Sequence, residues 1–165
     1  MSFGEDGNGI ATGYPGLYHG GMAIDSQGNI FMGGALWYVT ETGGVTSDMI
    51  VVKFFADGSK GTDFGVGGVA RLEGVGLDSP GALAIQPADQ KIVAAGFARA
   101  VVDPSTGQWG SCFCVARFNR DGTLDTGFNV TGVVVTPIVP ITNGKVSVRW
   151  SHLGISTLES VWVRN

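Results

Sequence analysis

Short apolar runs alternate with polar turns along the first half of the chain. The first of four such runs is bounded by Gly and Ser, and the third is followed by an Asp-Gly turn signal. The four runs are Met22–Asp25, Asn29–Tyr38, Met49–Phe55 and Val69–Leu72. No window carries a sustained 3.6-residue apolar stripe with caps, so little helix is expected. The pattern predicts four short β-strands, the last one after a loop over Lys60–Gly68.

The same blocks return in the second half of the chain, at an offset that grows from 61 through 62 to 64 residues. The blocks that begin at Gly21, Asn29, Ile50 and Asp63 recur as blocks that begin at Ala82, Lys91, Cys114 and Gly127. Self-similarity at such a period indicates a repeat architecture, and four-stranded units of this size suit β-propeller blades. We expect one all-β domain over residues 1–165, with a partial repeat (1–14), repeat 1 (20–73), repeat 2 (81–136) and a divergent C-terminal β-hairpin (137–165).

Two stretches resemble known bacterial repeat families. The segment AIDSQGNIFMGG (residues 23–34) is similar to the SBBP β-propeller repeat, and ALAIQPADQKIVAAGF (82–97) with VARFNRDGTLDTGF (115–128) is similar to the delta-sixty repeat. The resemblance covers roughly residues 2–136. It implies tandem antiparallel blade-like sheets in extracellular or cell-surface proteins, and it implies no particular activity.

The last thirty residues depart from the repeat. They contain two alternating segments, Lys145–Trp150 and Leu158–Arg164, which suit two further strands. The strand count then gives about three blades, fewer than the four to eight of a closed ring. We therefore expect copies of the chain to associate and close a ring or stack, because an open arc exposes sheet faces and edges. A small self-closed β domain is the alternative.

Composition narrows the function classes. The chain has 28 glycines in 165 residues, only 15 % charged residues and a net charge of −4, which argues against a nucleic-acid partner. No apolar run reaches the roughly 20 residues of a membrane-spanning helix, so no membrane insertion is expected. Residues 1–10 lack the basic and apolar regions of a signal peptide. An extracellular or surface location rests on the family resemblance alone.

The sequence contains no motif that identifies a catalytic or cofactor-binding site. The nucleophile elbow, the P-loop and the HExxH zinc motif are absent. Gly65–Ala70 matches a dinucleotide fingerprint formally but precedes a strand, and Asp25–Asn29 lacks most of an EF-hand's ligands, so both are interpreted as turns. His19 and His152 have no ligand partners at metal spacing, and Cys112 and Cys114 are interpreted as buried thiols. We expect no enzyme activity, no metal and no cofactor.

The connection between the second and third strands is the candidate binding region. It is predicted to be a long loop in both repeats, over residues 37–47 and 99–111, and both loops should emerge on the same side of a propeller, where loops commonly carry function. Aromatic rings beside carboxylates and amides are suited to a neutral sugar. The candidate ligand-binding residues are Trp37, Tyr38, Glu41, Asp103, Gln108 and Trp109. Packing of these rings between blades or subunits is the competing interpretation.

Three functions remain open at this point. The first is a non-enzymatic structural or assembly module that self-associates as a homo-oligomer or larger assembly. The second is a carbohydrate- or surface-binding, lectin-like module that uses the aromatic loops. The third is a hydrolase with unidentified carboxylates, for which no residue is nominated.

Overall fold

The structure, a computed structural model, describes residues 3–4, 6–14, 17–73, 79–103, 107–137, 145–146 and 161–162. Within these residues the regular elements are all strands, which confirms the all-β prediction. They are β1 (Leu17–Ile24), β2 (Ile30–Val39), β3 (Val45–Phe54), β4 (Val69–Leu72), β5 (Ser79–Ile85), β6 (Ile92–Asp103), β7 (Gln108–Phe118), β8 (Val133–Pro137), β9 (Lys145–Val146) and β10 (Val161–Trp162). Among the described residues, a helix of the length and apolarity needed to span a bilayer is not found.

The strands form two antiparallel four-stranded sheets in chain order. The first sheet is β1-β2-β3-β4 and the second is β5-β6-β7-β8, so each repeat folds as one up-and-down unit. A third, two-stranded pairing joins β9 to β10, with Val161 opposite Val146. The segments 147–150, 158–160 and 163–164 of the expected C-terminal strands lie outside the described residues.

The main core lies between the two sheets. Side chains alternate across a strand, so odd-numbered residues of β2 and β3 share one face of the first sheet. This face buries Phe31, Met49 and Val51. They pack in one cluster with even-numbered residues of the second sheet, among them Ile92 and Phe118. The repeat units are thus stacked face to face, as expected of propeller-type blades.

A smaller core covers the opposite face of the first sheet. Ile50, Val52 and Phe54 are buried there, and Ala11 and Tyr14 from the N-terminal segment pack against them. The Tyr14 ring meets the Phe54 ring edge-on, with centroids 5.3 Å apart. The partial repeat at the start of the chain therefore lies on the side of the first sheet that faces away from the second.

Candidate interaction site

Each sheet has two non-equivalent faces, which we name by their place in the repeat. The leading face carries Ile30 and Ile50 in the first sheet, and their repeat equivalents Ile92 and Cys114 in the second. The trailing face carries the residues that alternate with these along the same strands. Inside the molecule, the trailing face of the first sheet packs on the leading face of the second. The trailing face of the second sheet lies at one end of the stack, and the leading face of the first sheet, partly covered by Ala11 and Tyr14, lies at the other.

Exposure differs sharply between equivalent positions on the trailing faces. Phe113 is 62 % exposed on the second sheet, whereas its equivalent Met49 on the first sheet is 0 % exposed. Phe97 is 56 % exposed, whereas Ala35 in its place is 1 % exposed. Phe97 and Phe113 are directly opposite each other on β6 and β7. The second sheet thus presents a paired aromatic patch at a position where the first sheet is in contact with a neighbouring unit.

Equivalent positions on the leading faces also differ in exposure, but here the exposed residues lie on the first sheet. Met22 and Ile24 on β1 are 59 % and 57 % exposed. Their equivalents Leu83 and Ile85 on β5 pack against the core between the sheets. The two exposed patches are therefore the repeat equivalents of the two surfaces that already pack together.

A turn contact accompanies the packing of one unit on the next. The Gly65 N–H donates to the Asp121 carbonyl oxygen at 2.7 Å, and a Cβ atom on Gly122 would lie 2.5 Å from the Gly65 nitrogen. The ring of Phe64 is fully buried beside this turn and meets Phe31 edge-on at 5.4 Å. The Phe-Gly pair of repeat 1 is thus seated on the Asp-Gly turn of repeat 2.

The start of the chain makes the same contact one unit earlier. The Gly4 N–H donates to the Asp57 carbonyl oxygen at 2.8 Å. A Cβ atom on Gly58 would lie 3.0 Å from the Phe3 ring. The Phe3-Gly4 pair therefore occupies, on the Asp57-Gly58 turn, the place that Phe64-Gly65 takes on the next turn.

Ion pairs link the third strand of each repeat to the loop that follows it. Lys53 Nζ contacts the Asp63 carboxylate at 2.9 Å. In repeat 2, Arg117 Nε and Lys91 Nζ contact Asp125 Oδ2 at 2.6 and 2.8 Å. Hydrogen bonds from Lys91 and then Arg117 hold the pKa of Asp125 below its usual value. These ion pairs hold the loops that carry Phe64 in repeat 1 and Phe128 in repeat 2.

A polar cleft of about 260 Å³ opens at the turn end of the two sheets, and its lining includes Asp25, Lys53, Asp63 and Asp121. Asp25 accepts hydrogen bonds from the backbone of Gln27 and Asn29, which confirms the turn interpretation of this segment. Partial burial opposes ionisation of Asp25, but the hydrogen bonds from Asn29 and Gln27 outweigh it and lower its pKa. Among the described residues, no group of three or more His, Cys, Asp or Glu side chains is arranged to hold a metal ion.

The structure corrects the prediction of long loops between the second and third strands. Strands β2 and β3 continue to Val39 and from Val45, so the connection in repeat 1 is only residues 40–44, closed by a Thr40 N–H to Gly44 carbonyl bond of 2.7 Å. In repeat 2 the strands continue to Asp103 and from Gln108. The prediction of long loops was wrong because cross-strand pairing extends the hairpins through residues without turn signals.

The candidate ligand residues are distributed over these two hairpins. Trp37 and Tyr38 are in β2 and partly exposed, Glu41 is exposed in the tight turn, and Trp109 in β7 is 56 % exposed on the same face as Phe113. Asp103 and Gln108 are paired backbone positions at the end of β6 and the start of β7, and their side chains lie outside the described part of the structure. The structure thus places the described rings at the hairpin ends of two different sheets.

A buried charge that the sequence analysis missed lies beside Tyr38. The Asp48 side chain is 2 % exposed, accepts a hydrogen bond from Arg71 Nε at 2.6 Å, and lies 3.4 Å from the Tyr38 hydroxyl. Arg71 also stacks over the Tyr38 ring at 5.0 Å, and the hydrogen bond with Asp48 raises the pKa of Arg71. An aspartate inside an apolar strand run was the signal available in the sequence. Tyr38 is held in this cluster by Asp48 at its hydroxyl and by Arg71 over its ring.

The structure tests the prediction for the cysteines and leaves the one for the histidines open. Cys112 and Cys114 are both fully buried on the leading face of the second sheet, which confirms the buried-thiol interpretation. His19 is a backbone position in β1, opposite Gly34, and His152 lies outside the described residues.

The comparisons with known proteins agree with this architecture. Residues 88–128 match the family model described as "Domain of unknown function (DUF5122) beta-propeller", which covers 41 of the 165 residues. The match spans most of β6 and β7 and the Asp121-Gly122 turn, and it supports a β-propeller repeat family without distinguishing the SBBP from the delta-sixty type. Neither the curated proteins nor the solved structures gave a match.

Proposed function

We propose that this chain is a non-enzymatic assembly module whose copies associate head to tail. The trailing face of the second sheet in one copy would pack on the leading face of the first sheet in the next. The observation that carries the proposal is the exposure of Phe97 and Phe113 at one end and of Met22 and Ile24 at the other. These are the repeat equivalents of the surfaces that pack inside the chain.

Burial of these residues would favour association. Removing a fully exposed Phe, Met or Ile side chain from water contributes about 1.5–3 kcal/mol. The four side chains are 56–62 % exposed, so each would contribute somewhat more than half of that amount. A head-to-tail contact is heterologous, so it generates a ring if the rotation between copies closes and a filament if it does not.

A non-catalytic role is supported by how the carboxylates of the polar cleft are used. Asp121 accepts hydrogen bonds from the Thr123 backbone and hydroxyl at 3.0 and 2.7 Å, and Asp25 caps its own turn. Hydrogen bonds from the Thr123 side chain and backbone lower the pKa of Asp121. Carboxylates held ionised in turns suit a structural role better than general-acid chemistry, for which the pKa must be raised.

Two charged variants test the head-to-tail geometry. Phe113→Asp places a charge on the trailing face, and Ile24→Asp places one on the leading face. Each variant alone is expected to be monomeric by light scattering after size exclusion, because each has lost one of the two complementary faces. An equimolar mixture should give a 1:1 heterodimer, since each variant retains the face that the other lacks.

Val45→Asp is the matched control. Val45 is 63 % exposed, like Phe113, but it lies at the hairpin end of the first sheet. It should associate as the unmodified chain does. A mixture of Phe113→Asp and Ile24→Asp that stays monomeric, while the unmodified chain associates, would contradict the head-to-tail arrangement.

A carbohydrate-binding module is the second candidate. It is favoured by the exposed rings of Trp37 and Trp109 at the hairpin ends of β2 and β7. The test is a glycan array with the unmodified chain and Trp109→Ala. Binding that is lost in Trp109→Ala, with the thermal unfolding transition unchanged, would support this function, and the absence of any bound glycan would remove it.

A further inference from the structure

One backbone hydrogen bond, from a Gly N–H to the carbonyl of a preceding Phe, occurs three times among the described residues. The N–H of Gly68 donates to the carbonyl of Phe64 at 2.9 Å, and the same bond joins Gly132 to Phe128 at 2.7 Å. In the N-terminal segment it joins Gly9 to Phe3 at 2.9 Å, across two additional residues. Each loop begins with a Phe and is followed by the residues that form, or stand in place of, the fourth strand of a unit.

Two of the three loops are docked on the Asp-Gly turn of the following unit, as described above. The third loop, Phe128–Gly132, shares this closing hydrogen bond, and Asn129 adopts φ 49°, close to the 54° of its equivalent Gly65. The next positive φ lies at Val130 (62°) in this loop and one position later, at Gly67 (61°), in the docked loop. The turns at Asp57-Gly58 and Asp121-Gly122 already hold the first two loops. Both of these turns are therefore occupied and are not available to the loop that begins at Phe128.

The Phe128 ring shows the consequence. Its equivalent Phe64 is 0 % exposed in the core between the sheets, whereas Phe128 is only partly buried and lies against the Arg117 guanidinium at 4.7 Å. This ring lies at the same end of the stack as the exposed trailing face. A unit that packs on Phe97 and Phe113 in the way repeat 2 packs on repeat 1 would bring an Asp-Gly turn to Phe128.

We propose that the Phe128–Gly132 loop is a docking element for a second copy of this chain, and that its receptor is the Asp57-Gly58 turn of that copy. The inference rests on the proposed head-to-tail association and adds a condition to it. In each copy the receptor turn is held by its own Phe3-Gly4 pair. The N-terminal arm, residues 3–14, must therefore leave both this turn and the leading face, where Ala11 and Tyr14 pack, before the second copy can dock, so the arm competes with association.

Deletion of residues 2–14 tests this competition. It removes the Phe3-Gly4 pair together with Ala11 and Tyr14, which cover part of the leading face. We expect the apparent dissociation constant for self-association, measured by sedimentation velocity, to fall at least tenfold. A synthetic peptide of residues 2–14 added to the shortened chain should weaken the association again. The same peptide with Phe3→Ala should not.

Point variants identify the docking residue in the shortened chain. Phe128→Ala should raise the apparent dissociation constant at least tenfold, because the ring that enters the partner is lost. Val130→Ala in the same loop is the control, since the Val130 side chain is 79 % exposed. Circular dichroism and urea unfolding of both variants check that the sheets are intact, and the peptide competition does not depend on either variant.

The outcomes separate the two proposals. If the unmodified chain associates and the deletion leaves the dissociation constant unchanged or raises it, the arm does not compete and this inference is overturned, while the head-to-tail function stands. If the unmodified and shortened chains are both monomeric at millimolar concentration, both proposals are overturned. Tighter association that survives Phe128→Ala would also overturn the inference.

Discussion

At the scale of single residues, the repeat is most exact in the turn that ends the third strand. Asp57 accepts hydrogen bonds from the Ser59 backbone and hydroxyl at 2.9 and 2.7 Å, and Asp121 accepts the matching pair from Thr123. The Ser59 hydrogen bonds lower the pKa of Asp57, as those of Thr123 do for Asp121. Asp caps its own turn in this way because its short side chain reaches the backbone two residues on. The turn is the receptor on which a neighbouring Phe-Gly pair is seated.

The ion pairs of Asp125 make stability dependent on pH. Lys91 and Arg117 stabilise the ionised carboxylate in the folded chain, so its pKa lies below the unfolded value of 3.8. A group with a depressed folded pKa contributes stability above its unfolded pKa, and that stability is lost as the pH falls through the folded pKa. Asp125→Asn should therefore lower the free energy of unfolding at pH 7 and flatten its decline below about pH 4.

Urea unfolding between pH 2 and pH 7 measures this effect. Asp6→Asn, at an exposed position, is the charge-matched control and should retain the acid-dependent decline of the unmodified chain. An Asp125→Asn chain with an unchanged stability profile would show that the Lys91 and Arg117 contacts contribute nothing net.

At the scale of strands and loops, the sequence predicted the centre of each element and missed the ends. Runs such as Met49–Phe55 are apolar because both faces of β3 are buried, and the Asp57-Gly58 signal ends the run. The segments beyond these runs, at Val39 and Val45, carry no apolar alternation against a core. Their strand conformation comes from cross-strand pairing, which depends on a partner distant in the chain and leaves no local signal.

The turn contact between units can be measured with two glycine variants. Gly67→Ala and Gly122→Ala both put Ala at a positive φ, 61° and 86°, which costs about 1–2 kcal/mol. A Cβ at Gly67 meets nothing within 4 Å, whereas one at Gly122 lies 2.5 Å from the Gly65 nitrogen. Gly122→Ala should therefore lower the free energy of unfolding by roughly 1–3 kcal/mol more than Gly67→Ala, because the docked loop must shift.

Urea denaturation of the two variants gives this difference directly. Equal losses in Gly67→Ala and Gly122→Ala would mean that the Phe64-Gly65 pair moves away from the turn at no cost. In that case the turn contact would be a by-product of sheet packing and not a stabilising element of the unit-to-unit interface.

At the scale of the whole molecule, the candidate site was the part that the sequence predicted least. The strand count predicts that copies of the chain associate. The binding residues that the sequence predicts, however, are the aromatic rings and polar groups of the hairpins. Phe97, Phe113, Met22 and Ile24 were overlooked because their equivalents are core residues. Whether such a residue is buried depends on a neighbouring unit, and the local sequence pattern is the same with or without one.

The mass distribution of the assembly distinguishes a closed ring from an open filament. If the rotation between copies closes, light scattering of the chain without residues 2–14 should give one sharp multiple of the mass of that shortened chain. Masses that rise continuously with concentration would indicate that the rotation between copies does not close and that the contact builds filaments instead. Because the same two faces are used in both cases, Phe113→Asp should abolish either assembly, and only the mass distribution distinguishes the ring from the filament.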